Sequence, residues 1–314
     1  MKSEAAGFRS GFVSILGRPN AGKSTLLNAL VGKKLAIISD KPQTTRTSIQ
    51  GILNIPGAQV AFVDTPGIHT SQSLFNRRML EIARAELGDR DLLLYLADST
   101  APFGDEDKNA LELIPASKTP VFLVLTKIDK LSDKRQLLPR IEQYRSLREF
   151  ADFIPVSAMT GEGLDQLRDA IIERLPEGPA YFPPDYLTDQ PERFLAAELI
   201  RERILRETRQ EVPHAVAVVV DRWEDTGRLL RIAATIYVER DGQKAILIGG
   251  KGATLKKIGT LAREQIEAMF SRKVFLELFV KVRKDWRENA EFLKSIDWRA
   301  MRGGELEPEP DSNS

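Results

Sequence analysis

This 314-residue sequence predicts an α/β fold, a mostly parallel sheet with helices on both faces, followed by a smaller α+β unit. Three observations carry that expectation. From Gly11 to about Leu175, short apolar runs alternate with stretches of helical apolar spacing, as in a doubly wound sheet. The first strand-to-helix turn reads Gly17-Arg18-Pro19-Asn20-Ala21-Gly22-Lys23-Ser24-Thr25, a match to G-x-x-x-x-G-K-[ST]. After a stretch holding Pro176, Pro179, Pro183, Pro184 and Pro191, strands with a single apolar face replace the continuous apolar runs.

The elements follow in order. Strands are expected over 11–16, 47–55, 59–64, 91–98, 121–126 and 153–156, and helices over 23–32, 73–87, 106–115, 134–150 and 164–175. Pro56-Gly57 separates the second and third strands, so these two form an antiparallel edge hairpin. The proline-bearing residues 176–193 read as a stiff linker, because so many prolines cannot sit inside regular elements. Beyond it a helix over 192–210 precedes alternating strands over 214–223 and 229–239, a Gly-rich turn, a helix over 253–270, a strand over 273–283 and a last helix over 285–296. The expected domains are therefore 8–175, the linker, 194–298 and an acidic disordered tail over 299–314.

Composition sets the limits. The chain is 42% hydrophobic and 29% charged with a net charge of +1, so any polyanion-binding surface must be local. It has no cysteine, which excludes disulfides, thiolate catalysis and cysteine-bound zinc. No apolar run approaches the roughly 20 residues that span a bilayer. A cytoplasmic location is expected.

The loop over 17–25 suits a nucleoside triphosphate. Glycines let backbone N–H groups converge on an anion, and the helix that follows adds its partial positive charge. Lys23 would reach the β- and γ-phosphates, and the Ser24 hydroxyl would ligate magnesium. Four more signals follow in order. In Gln43-Thr44-Thr45-Arg46, Thr45 can reach the same ion. In Asp64-Thr65-Pro66-Gly67, Asp64 can hold it through a water while the Gly67 N–H meets the γ-phosphate. In Thr126-Lys127-Ile128-Asp129, the aspartate accepts both hydrogen bonds from the guanine edge, and the Lys127 stem covers the ring. In Val156-Ser157-Ala158, a backbone N–H can meet the guanine oxygen. All but the switch loop at 43–46 lie at C-terminal ends of strands, where open α/β sheets bind ligands. This order implies a module that binds and hydrolyses GTP, with Lys23, Thr45 and Gly67 as its catalytic candidates.

Three positions bear on hydrolysis. Switch GTPases often orient water with a glutamine after the glycine at 67, and here that residue is Ile68. Hydrolysis is expected to be slow and to draw on backbone, another side chain, a partner or a monovalent cation. Asn20 reads equally as a potassium ligand or as a turn residue tolerant of unusual backbone angles. His69 reads as a solvated histidine rather than a base.

A second site opens at Ile248-Gly249-Gly250-Lys251-Gly252, a G-x-x-G turn before a helix, which can clamp a nucleic-acid backbone. From Gly249 to Lys284 there are nine Lys or Arg against three Glu, with Lys251, Lys256, Lys257, Lys281 and Arg283 as candidate RNA contacts. Ile246, Ile248 and Ile258 are expected to line an apolar groove for unstacked bases.

These motifs, with Pro213-His214, resemble the bacterial Era family, whose members join a Ras-like GTPase domain to a C-terminal type II KH domain. The resemblance runs from about Gly11 to Trp298. It implies Mg2+, binding to the 3′ end of 16S ribosomal RNA, a role in assembling the small ribosomal subunit and loose association with the inner face of the membrane. A monomer is expected. The family has asparagine where this chain has Thr126, which ties the base-reading loop to the phosphate loop; threonine keeps a hydroxyl and loses the amide. A non-enzymatic RNA chaperone with a nucleotide-gated site is the alternative. A tRNA-modifying GTPase would need a C-terminal cysteine, absent here.

Overall fold

The computed structural model describes residues 7–41, 43–67, 73–208, 212 and 215–298. The chain divides into two compact units, residues up to 71 with Asn76–Asp189 in the first, and Ser73–Phe75 grouped with the residues from Gln190 onward in the second. The first contains β1 (Arg9–Gly17), α1 (Lys23–Val31), β2 (Ile49–Ile55), β3 (Ala58–Asp64), α2 (Leu74–Ala85), β4 (Leu92–Asp98), α3 (Asp105–Glu112), β5 (Val121–Thr126), α4 (Leu137–Arg145), β6 (Asp152–Pro155) and α5 (Leu164–Arg174). Its sheet runs β2-β3-β1-β4-β5-β6. Only β2 is antiparallel, paired to β3 as the Pro56-Gly57 turn predicts.

Continuous apolar strands bury both faces. Leu92, Leu94 and Leu96 of β4 join a core with Leu26 and Leu27 of α1 and Ile171 of α5. The alternate residues Leu93 and Tyr95 join Ala110 of α3 and Tyr144 of α4 on the opposite face. The helix expected over 134–150 is shorter: a 3-10 turn, Lys134–Gln136, leads into α4, which ends at Arg145.

Residues 176–189, expected as a stiff linker, are laid along the first unit as a strap. Gln59, 1% exposed, receives the N–H groups of Tyr181 and Phe182 at 2.7 and 2.9 Å and donates to the Phe182 carbonyl at 2.9 Å. Phe12 meets the rings of Tyr181 and Phe182, and the Ile52 N–H donates to the Leu187 carbonyl at 2.8 Å. The prolines keep the segment out of helix and sheet, so its backbone groups are satisfied by side chains and strand edges instead.

The second unit contains α6 (Glu192–Glu207), β7 (Ala217–Asp225), β8 (Leu230–Val238), α7 (Asp241–Ile248), α8 (Ala253–Phe270), β9 (Val274–Val282) and α9 (Ala290–Ser295). Its sheet runs β7-β8-β9, antiparallel and then parallel. Ile200 and Ile204 of α6, Leu247 of α7 and Ile258, Ala262 and Ile266 of α8 form its core with the inward strand residues.

Helix α7 departs from the expectation of a Gly-rich turn. The Gln243 side chain makes it possible by accepting the N–H groups of Glu239 and Arg240 at 2.9 and 3.1 Å, a cap that outweighs the poor helix propensity of Gly242. The last helix is also interrupted. A 3-10 turn, Trp286–Glu288, comes first, and the Asn289 side chain then caps α9 by accepting from Phe292 N at 2.9 Å. Pro213-His214 and the tail over 299–314 lie outside the described residues.

Removing the strap's central anchor should cost what its buried hydrogen bonds contribute. Gln59→Ala is expected to destabilise the first unit by about 2–3 kcal/mol, read from urea unfolding, and to open 176–189 to proteolysis.

Candidate nucleotide site and nucleic-acid interface

The loop between β1 and α1 takes its shape from backbone conformations few residues tolerate. A Cβ at Gly17 would lie 2.6 Å from the Leu96 carbonyl oxygen, and Asn20 adopts a left-handed φ of 61°. The loop curls over a cavity of ≈ 320 Å³ lined by Pro19, Asn20, Gly22, Lys23, Ser24 and Thr25. Thr45, Gly67, Thr126, Lys127, Asp129 and Ala158 also line it, so the sheet's C-terminal edge and the loop holding Thr45 bring the separate motifs together.

Six predicted residues are buried and do not line the cavity: Ala21, Asp64, Thr65 and Ser157 are each 0% exposed, and Gly17 and Pro66 are buried with them. Thr65 donates to the Ile15 carbonyl at 2.8 Å and so fastens the Asp64–Gly67 turn to β1. Arg18 points away, its guanidinium lying 3.6 Å from Asp98 and 3.4 Å from Asp107, so only its backbone remains for a phosphate. Gln43 and Thr44 of the expected switch loop line the cavity too, and sequence reasoning missed the rest of the lining, Ile37, Ile38, Ser39, Asp40, Lys130 and Met159. Met159 directly follows Ser157-Ala158, and that adjacency could have found it; 37–40 carry no periodic signal.

Lys23 and Asp64 are buried together. The Lys23 Nζ donates to the Gly17 and Arg18 carbonyls at 2.9 and 3.0 Å, bonds a phosphate oxygen could take over. Burial lowers its pKa to about 8 against the pull of Asp64 and Glu106. Burial likewise raises Asp64 to about 6, opposed by Lys23 and by the Ser24 and Thr45 hydroxyls.

Ser24 Oγ donates to Asp64 Oδ2 at 2.6 Å and lies 2.8 Å from Thr45 Oγ1. Asp64 Oδ1 is buried without a partner among the described residues. Two hydroxyls and a carboxylate with one orphaned oxygen make a donor set that fits a small hard cation such as Mg2+.

The base-reading end is equally tied. Ser157 Oγ donates to Asp129 Oδ1 at 2.6 Å and fixes that carboxylate. The Ser157 N–H donates to the Glu162 carbonyl at 2.8 Å, which leaves the Ala158 N–H as the candidate donor to a base. Thr126 Oγ1 donates to the Ala21 carbonyl at 2.7 Å, with the Ala97 carbonyl at 3.2 Å. The hydroxyl thus keeps the tie between loops that an asparagine amide would make. Asn20 Nδ2 donates to the Asp40 carbonyl at 2.9 Å, which leaves only its amide oxygen for a cation. Ile68 and His69 lie outside the described residues.

In the second unit, Gly249 turns the chain out of α7 at φ 69°, where a Cβ would lie 2.2 Å from Thr254 Oγ1. Gly250, Lys251 and Gly252 follow as a 3-10 turn into α8, with Lys251 exposed. Lys256 and Lys257 are exposed on α8, and Lys257 pairs with Glu207 at 2.6 Å.

The expected basic patch is divided. Val280 and Val282 pack into the helix-covered core, so Lys281 and Arg283 project from the opposite sheet face, where Arg283 stacks 4.5 Å over Phe292. The expected groove is also corrected: Ile258 is 0% exposed and belongs to the core, because it begins the buried face that α8 continues through Ala262 and Ile266. Ile246 is 53% exposed, and Ile248 is half-buried.

A family model described as "50S ribosome-binding GTPase" matches residues 12–127, and one described as "KH domain" matches 211–287. GTPase Era of Geobacter metallireducens is 53% identical over 93% of this chain and 98% of its own length. GTPase Era of Syntrophus aciditrophicus is 52% identical over 93% and 95%. An Aquifex aeolicus Era variant bound to GDP and AlF4− superposes with a TM-score of 0.89 at 40% identity, covering 92% of this chain and 99% of that one. Era in complex with MgGDPNP and nucleotides 1506–1542 of 16S ribosomal RNA gives the same TM-score and identity over 93% and 99%.

The buried carboxylate gives a pH test of the nucleotide-free site. Asp64's raised pKa means its contribution to stability is present below about pH 4 and is lost as pH rises through about 6. The melting temperature of the wild type should therefore fall relative to Asp64→Asn between about pH 5 and pH 7, measured without nucleotide or magnesium.

Proposed function

We propose, since the chain belongs to the GTPase Era family, that it is a GTP-hydrolysing switch that binds the 3′ end of 16S ribosomal RNA and acts in assembly of the small ribosomal subunit. The observation that carries the nucleotide half is the convergence of Lys23, Ser24, Thr45, Asp64 and Asp129 on one cradle. Its members take distinct roles. Lys23 binds the β- and γ-phosphates, Gly67 N–H meets the γ-phosphate, and the N–H groups of Gly17 to Thr25 cradle the rest. Asp129, oriented by Ser157, reads the guanine N1–H and amino group; Ala158 N–H meets its oxygen, and the Lys127 stem covers the ring.

Ser24 and Thr45 would hold Mg2+ directly, and Asp64 through a water. When bound, that ion neutralises charge developing between the β- and γ-oxygens. Ordering of the loop around Thr45 and of the turn at Gly67 by the γ-phosphate gives the switch, and hydrolysis releases it. The Ile68 side chain offers no hydrogen bond to a water, so slow intrinsic turnover follows. The Asn20 amide oxygen is a candidate K+ ligand at this step.

The domain reading is a nucleotide module over 8–175, a linker over 176–193 and an RNA-binding module over 194–298. In the latter, Ile248, Gly249, Gly250, Lys251 and Gly252 clamp the RNA backbone beside Lys256 and Lys257, and Lys281 and Arg283 serve a second face. The matched description naming the 50S particle covers only residues 12–127, outside the RNA-binding module, and the small-subunit reading rests instead on the full-length likeness to Era, which has been solved with nucleotides 1506–1542 of 16S ribosomal RNA. A monomer in the cytoplasm, in peripheral contact with the inner membrane, completes the proposal.

Lys23→Ala should abolish GTP binding in equilibrium dialysis, and normal affinity would refute the site assignment. For RNA, Lys251→Ala should weaken binding to a 16S 3′-terminal oligonucleotide and reduce the slope of log affinity against log salt by about one. Crosslinking and sequencing of bound RNA, with GTP and with GDP, tests the switch. Enrichment spread over all cellular RNA and indifferent to nucleotide would sink it.

A further inference from the structure

Asp98 ends β4 behind the nucleotide cavity, and none of the motifs includes it. Its side chain is 7% exposed and lies between two cations that belong to different loops. Oδ2 accepts from the Lys127 Nζ at 2.6 Å and faces the Arg18 guanidinium at 3.6 Å. Oδ1 accepts from the Thr100 N–H and hydroxyl at 2.9 and 2.6 Å, which fixes the carboxylate plane.

Lys127 carries the link onward, since the same Nζ donates to the Asn20 carbonyl at 2.6 Å in the crest of the phosphate loop. Arg18 carries it sideways to Asp107, 2% exposed, whose Oδ1 accepts from the buried Tyr144 hydroxyl at 2.9 Å and whose Oδ2 accepts from Gly104 N at 3.1 Å. Burial works against ionisation of Asp98, yet the Lys127 and Thr100 bonds hold its carboxyl below the usual range.

We infer that Asp98 is a positioning residue for the nucleotide: its carboxylate clamps the base-reading loop at Lys127 to the phosphate loop at Arg18 and Asn20, and so sets how long bound nucleotide is retained. The inference rests on the nucleotide reading above. Two features of this chain make the clamp matter. Lys127 sits at a left-handed φ of 60°, a conformation costly for a side-chain-bearing residue, so something must hold it there. Thr126, in turn, has a single hydroxyl proton with which to tie the loops, directed chiefly at the Ala21 carbonyl. An asparagine amide would have two. Beside the direct Lys127–Asn20 bond, the charged path through Asp98 to Arg18 is therefore a further fastening between the halves of the site. Loss of a charge-assisted hydrogen bond in a poorly solvated position corresponds to roughly tenfold to hundredfold in an equilibrium or release rate.

The experiment is release of N-methylanthraniloyl-GDP from the full-length chain with Mg2+, followed by fluorescence after chasing with unlabelled GDP. Asp98→Ala should speed release at least about tenfold and raise the KM for GTP, with kcat at saturating GTP within about twofold of wild type. In a Lys127→Ala background the same substitution should add less than about twofold, because its partner is gone. Should Asp98→Ala not fold, Asp98→Asn keeps the shape and removes the charge, and release should again accelerate. Folded variants that release at the wild-type rate overturn the inference, as does equal acceleration with and without Lys127, which would mark general loosening. A wild-type chain that retains no labelled GDP overturns the nucleotide reading itself, a separate and visible failure.

Discussion

Co-burial of Lys23 and Asp64 is the constraint around which the first unit is arranged. An ammonium and a carboxylate withdrawn from water are tolerated only when each is surrounded by oriented polar groups. The carbonyls of Gly17 and Arg18 serve the lysine, and the Ser24 and Thr45 hydroxyls serve the aspartate. That requirement shapes the phosphate loop and draws the loop bearing Thr45 over the end of β3. Opposing pKa shifts follow, down for the base and up for the acid. The same arrangement that is expensive when empty becomes complementary to a magnesium-bound triphosphate.

The motif residues were legible because the chemistry dictates both residue type and spacing. A phosphate loop needs small residues and a lysine at fixed offsets, and a guanine edge needs a carboxylate at a strand end. The fold class was legible for a similar reason: strands buried on both faces write themselves as unbroken apolar runs. Thr126 departed from the family's residue, and the structure shows its hydroxyl preserving the loop tie to Ala21.

What stayed hidden depends on direction rather than identity. Nothing in the string Gly-Arg-Pro-Asn says that Arg18 turns its charge away from the cavity toward Asp98 and Asp107. The nine-base cluster looked like one patch, yet the period of a strand sends Lys281 and Arg283 to the face away from α8. Ile258 has the same composition in a groove as in a core, and only the packing of α8 decides. Helix α7 escaped notice because a side-chain cap at Gln243, not periodicity, stabilises its start. The strap escaped because isolated polar side chains such as Gln59 and Asn54, together with strand-edge backbone groups, hold it, and neither leaves a periodic signature.

That strap has a consequence for the sheet's outer rims. A six-stranded sheet has two edge strands, here β2 and β6, and an open edge is a template for pairing with another chain. At β2, Leu187 and Thr188 occupy the outward backbone groups of Ile52 and Gln50, while Tyr186 takes the Asn54 amide. At β6, the strand is only four residues long and ends in Pro155, which has no N–H to offer a neighbour. Both rims of the nucleotide unit are thus closed to strand exchange, one by a proline and the other by the chain's own passage toward its second unit.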